Sequence, residues 1–170
     1  MATDASPQCD TSHLSDPEAV LVLDDFLPYR LSVLANRASD ALAREYSQRF
    51  ALGVTEWRVM AVLGHHPGLS ANEVARRTAM DKVAVSRAVA RLLDSGRLRR
   101  TIDPADRRRS LLRLSRAGRT VYAQVARIAL AFERQLLAGV DAGERARLFH
   151  LLDRLDELEL QTDGAGAAPD

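Results

Sequence analysis

Lysine is nearly missing from this chain. Lys82 is its one instance, so almost all of the 24 basic residues are arginines. Cysteine is as scarce. Cys9 stands alone, which excludes an internal disulfide. A sensing thiol needs a nearby base or helix N-terminus to lower its pKa. None lies near Cys9, so redox sensing is not the favoured reading. Aromatics make up 5% of the residues, which leaves the core to Leu, Val and Ala and suits packed helices. No apolar run approaches the roughly 20 residues that span a bilayer. The N-terminus lacks a basic-then-apolar leader pattern. With so little cysteine, these absences place the chain in the cytoplasm. There is no phosphate-binding glycine loop, no zinc-ligand spacing and no nucleophile–base pair, so an enzyme is not expected, nor a metal or cofactor. The adjacent His65 and His66 read as turn residues, because sequence neighbours tend to diverge and no Cys or acid sits at ligand spacing.

What is present is unevenly distributed charge. The chain carries a net +1, yet Ser70 to Arg119 holds 14 basic and 5 acidic residues, a net of +9. The first thirty residues and the last thirty are each at −5. Basic charge gathered in one module of a near-neutral chain is the footprint of a nucleic-acid surface. A solvated arginine-rich face is the plainer alternative.

The order of elements favours the first reading. Met1 to about Val20 is polar and aperiodic and is expected to be a disordered tail. Leu23–Phe50 has the apolar spacing of a long helix whose regular part begins near Pro28, with Asp24 and Asp25 at its start. Thr55 is a plausible N-cap for a second helix, Thr55–Leu63. Ser70-Ala71-Asn72-Glu73 forms a capping box that opens a short helix to Thr78. A tight turn at Ala79–Met80 leads to a further helix, Asp81–Ser95, closed by Gly96. Val85, Val89, Leu92 and Leu93 make its apolar stripe. Lys82, Val83, Ser86, Arg87, Ala90 and Arg91 are left open. In a helix that enters a DNA groove, Arg87 offers two parallel donors to guanine, Ser86 bonds base or phosphate, and Val83 meets a thymine methyl. Arg91 is read as a phosphate contact or a salt-bridge partner of Asp94.

Two strands follow, Arg97–Thr101 and Ser110–Leu114. Their connecting loop presents Arg107, Arg108 and Arg109, suited to a narrow minor groove. Asp103 and Asp106 read as residues that orient these arginines, as turn-formers, or as both. Helices are expected over Arg116–Val140 and Asp141–Leu160. The second opens on another capping box and repeats leucine at nearly heptad spacing. The tail from Asp163 is expected to fray. The fold class is therefore mainly α: a winged helix-turn-helix with a small β-hairpin wing. Its DNA-binding lobe spans 53–115 of a domain at 21–162. Helices 23–50 and 116–160 carry apolar stripes that one small lobe cannot cover. A symmetric homodimer of interleaved terminal helices buries them, setting two recognition helices about 34 Å apart. A monomeric helical bundle is the alternative.

Asp103-Pro104-Ala105-Asp106-Arg107-Arg108-Arg109, followed by Leu112-Arg113-Leu114-Ser115-Arg116-Ala117-Gly118, resembles the wing signature of the MarR family of bacterial transcription regulators. Ser115 stands where the family usually has Thr. The run Val85 to Leu92 is similar to that family's recognition helix, and the likeness extends from about Leu23 to Leu160. The resemblance implies a homodimer that binds a pseudo-palindromic operator in double-stranded DNA, usually as a repressor. It also implies a small effector, often an aromatic acid or phenol. By position, Tyr29, Arg30, Trp57 and Arg58 are the candidate ligand contacts, although core packing is the preferred role for Trp57. The peroxide-sensing branch carries a cysteine near the start of its first helix, and Cys9 precedes the matching region. A ligand-independent or architectural DNA-binding protein is the alternative function.

Overall fold

The computed structural model describes residues 20–103 and 106–158. The expectations for Cys9, the N-terminal tail before Val20, Pro104, Ala105 and the chain from Glu159 onward lie outside the described residues. The chain divides into two compact units between Ala38 and Ser39. The first begins with a 3₁₀ turn, Leu23–Asp25, and continues into helix α1, Leu27–Phe50, which runs on past the division. The expected single helix from Leu23 is thus broken at Phe26, whose extended backbone lets Pro28 enter in the first turn, where no N–H is needed. Leu27, Leu31 and Leu34 are exposed along this part of α1.

The second unit holds the core. Helix α2 is Val54–His65, α3 is Ala71–Thr78 and α4 is Lys82–Asp94. Thr55 does not cap α2. Gly53 does, and since it has no side chain to offer, Glu56 reaches back to accept its N–H. The Ser70 capping box forms as expected: Ser70 N–H donates to Glu73 at 2.7 Å and Glu73 N–H to the Ser70 hydroxyl at 3.3 Å. Between α3 and α4, Ala79 sits in the left-handed region at φ 50°, ψ 34°, a conformation that a glycine would adopt with less strain. Val74 and Ala75 of α3 face Val85, Ala88, Val89 and Leu92 of α4 in the core. Leu93, expected in that stripe, is only half-buried, and Ala88 is fully covered instead.

Strands β1, Leu98–Ile102, and β2, Ser110–Leu114, pair antiparallel with Leu98 opposite Leu114 and Arg100 opposite Leu112. Leu98, Leu112 and Leu114 turn inward. Leu69 adds a single bridge to Leu112, held by Leu112 N–H to Leu69 O at 2.8 Å. One extended residue is too short to leave an alternating pattern in the sequence. Helix α5, Arg116–Leu136, starts on Ser115, and α6, Ala142–Asp156, on Asp141 with its capping box. Gly118 in the first turn of α5 is forced by contact: a Cβ there would stand 2.0 Å from the Arg97 carbonyl oxygen. Helix α6 buries none of its side chains, and Leu148, Leu151, Leu152 and Leu155 remain exposed. Among the described residues, no helix is long and apolar enough to cross a membrane.

Candidate nucleic-acid interface

Helix α4 is presented rather than buried. Asp81 accepts from Val83 N–H and Ala84 N–H, both at 2.9 Å, and fixes its N-terminus. Its inner stripe leaves Lys82, Val83, Ser86, Arg87, Ala90 and Arg91 exposed together. Val83 is 56% exposed. An aliphatic side chain held in water between a lysine and an arginine gains nothing for the monomer's core and is free to meet a base methyl. Lys82 and Arg87 form no ion pair among the described residues.

Arg91 behaves differently. Its Nε is paired with Glu56 of α2, and the expected bridge to Asp94 is not made. Glu56 is only 9% exposed. One of its oxygens holds the Gly53 N–H and the other the Arg91 guanidinium, so one buried carboxylate pins the start of α2 to the outer end of α4. Spacing along the chain gave no signal for this contact, because its partners are 35 residues apart.

The wing shows the same division. Arg109 donates to both Glu73 oxygens, at 3.1 and 3.2 Å, and lies 3.8 Å from Asp103. The Ser70 hydroxyl and backbone N–H, with help from Arg109, hold the Glu73 carboxyl down to about 2 against the opposing effect of burial. Asp106 is a turn-former: it accepts the Arg108 backbone N–H at 3.0 Å and, among the described residues, forms no ion pair with an arginine. Arg107 and Arg108 are exposed and make no ion pair among the described residues. Arg97 donates to the Phe50 and Ala51 carbonyls, and Arg119 to that of Leu114 at 3.0 Å. Of the basic residues counted in the module, Arg91, Arg97, Arg109 and Arg119 therefore fasten elements together. Lys82, Arg87, Arg107 and Arg108 present charge that no ion pair among the described residues answers.

The four candidate ligand contacts fall in both units. Tyr29 and Arg30 are exposed and line a groove of about 570 Å³ within the first, beside Leu31 and Leu34. In the second, Trp57 packs between Tyr46 and Tyr122, with ring centroids 6.0 and 5.9 Å away. Arg58 donates to Ser39 at 2.8 Å. Burial pushes the Tyr46 phenol up to about 12. The rings of His65 and His66 touch edge-on at 4.3 Å, so these neighbours do not diverge as expected.

Residues 52–109 match the model of the MarR family. The chain is 33% identical to a probable transcriptional regulator from Pseudomonas aeruginosa of known structure, covering 79% of this chain and 99% of that one at a TM-score of 0.68. It is 29% identical to a MarR/EmrR family transcriptional regulator from Acinetobacter, covering 80% and 96% at 0.74. It is 27% identical to the PcaV transcriptional regulator from Streptomyces coelicolor, solved in complex with its natural ligand, covering 82% and 97% at 0.67.

Proposed function

This chain belongs to the MarR family of DNA-binding transcriptional regulators, and on that premise we propose that it works as a homodimeric repressor of a pseudo-palindromic operator, relieved by a small effector. The observation that carries the DNA contact is the open face of α4, where Lys82, Val83, Ser86 and Arg87 stand exposed without an ion pair among the described residues. Arg87 reads guanine, Val83 a methyl, and Lys82 and Ser86 base or backbone. Arg107 and Arg108 reach the neighbouring minor groove. Arg91 and Arg109 serve chiefly to hold those two elements in place. A dimer is supported by the exposed leucines of α6 and, separately, of α1. Its site of action is the cytoplasm, with the duplex.

Selection of bound sites from random DNA is the test. A pseudo-palindrome with half-sites one helical turn apart is expected, together with a steep fall of affinity with salt. Uniform protection with no preferred site would replace this reading with that of an architectural protein. For the effector, the Streptomyces relative solved with its natural ligand supports control by a small molecule; the aromatic acid or phenol is the class the family resemblance implies. Trp57 and Arg58, and separately Tyr29 and Arg30, are the contacts to vary. An effector shifts binding only by its differential affinity for the free and operator-bound forms. Titration of the operator complex with salicylate-like compounds should release DNA, and a reporter under the operator should rise on the same addition.

A further inference from the structure

A second concentration of positive charge lies off the DNA-reading elements. The end of α1 and one face of α5 enclose an open groove of about 910 Å³. Arg116, Arg119, Gln124 and Arg127 of α5 recur at helical spacing along it, and Arg49 stands on the opposite wall. From Arg116 to Arg127 the helix rises about 16 Å. No acidic residue lines the groove, and among the described residues none of the four arginines pairs with a carboxylate. Arg49 comes no nearer a side-chain acceptor than Gln124 Oε1, at 3.4 Å. An arginine cannot shed its proton to relieve crowding, and like charges three or four residues apart on a helix repel. Of these arginines only Arg116 and Arg119 stand at that spacing, and Arg119 also donates to the Leu114 carbonyl, so what an anion offsets is a local repulsion at the start of α5.

We propose that this groove binds a small organic anion bearing several charged groups, of the phosphate-ester or polycarboxylate class. One carboxylate would engage one or two guanidiniums, whereas four spread over this length call for several anionic groups. DNA is the less suited occupant, since a duplex receives protruding elements into its grooves and these residues line a concavity. The assignment goes beyond the regulator reading and does not rest on it. Calorimetry on the full chain at low ionic strength, with inorganic triphosphate and citrate as probes, tests it without DNA. At least one probe should bind saturably, and which one binds separates the phosphate from the carboxylate class. The double variant Arg116→Ala/Arg127→Ala should weaken that binding about tenfold or more. The variant Arg44→Ala/Arg134→Ala, outside the groove and the DNA-reading elements, should leave it unchanged. All four side chains are exposed, so both variants should fold. Saturation by neither probe, or binding indifferent to the groove variant, overturns the proposal. Loss of DNA affinity in that variant without any probe binding would overturn it as well, and make the groove a phosphate-backbone surface.

Discussion

Arg87 and Arg91 stand one helical turn apart on the same exposed face, yet their surroundings give them different work. Arg87 has no carboxylate partner among the described residues, whereas Arg91 neutralises the buried Glu56. Arg87→Ala should cost about 1–3 kcal/mol of operator affinity and relax the base preference at one position per half-site. Binding to a panel of single-base operator variants checks this. If all sequences weaken alike, Arg87 is a phosphate contact. Arg91→Ala should instead show first in thermal unfolding. It strands Glu56, but Arg91 is 62% exposed and solvent screens the pair, so the loss should be about 1–2 kcal/mol. An unchanged melting temperature would mean that water replaces the guanidinium at Glu56. The two arginines are alike in the sequence, and only the fold brings Glu56 from 35 residues away to tell them apart.

At the scale of elements, what is legible from sequence is what is settled within a few residues. The Ser70–Glu73 and Asp141–Glu144 boxes and the helix end at Gly96 all form as read. Contacts that join elements leave no such trace. The Leu69 bridge, the Arg97 clasp on the Phe50 carbonyl and the Arg109–Glu73 pair each join segments dozens of residues apart. Thr55 fails as a cap because Glu56 serves Gly53 from inside the helix. The wing signature is legible for a reason the structure supplies: Gly118 has backbone against it. Gly118→Ala should destabilise by about 1–3 kcal/mol, measured by denaturant unfolding, because the Arg97 carbonyl at 2.0 Å must move. Glu73 gives the Ser70 cap of α3, and with it the Arg109 latch of the wing, a pH dependence. Its folded pKa, about 2, lies below its ordinary 4.5, so its contribution is complete above about 4.5 and is lost as pH falls toward about 2. The stability gap between the native chain and Glu73→Gln should therefore be constant near neutrality and close across that window. A gap that is flat through it would assign the latch to packing rather than charge.

For the whole molecule, the question is what covers α6. Among the described residues, a helix with no buried side chain and four exposed leucines on its length is held by little beyond its caps and an Arg145–Glu133 pair at 3.0 Å. Isolated helices of this length are marginal in water. The second copy proposed above would supply the missing surface and, by symmetry, a second recognition helix. The two properties should then fail together. Leu151→Asp/Leu155→Asp places charge in the proposed seam and touches nothing in the DNA lobe. Sedimentation should show the monomer. Affinity for a two-half-site operator should drop about 10²-fold or more, because the second half-site is no longer bound at high effective concentration. Affinity for an isolated half-site should stay near that of the native lobe, which separates loss of pairing from loss of folding. A variant that remains dimeric with operator affinity intact would move the interface away from α6. A native chain that is monomeric at micromolar concentration, yet binds its operator with undiminished strength, would remove the two-fold arrangement altogether.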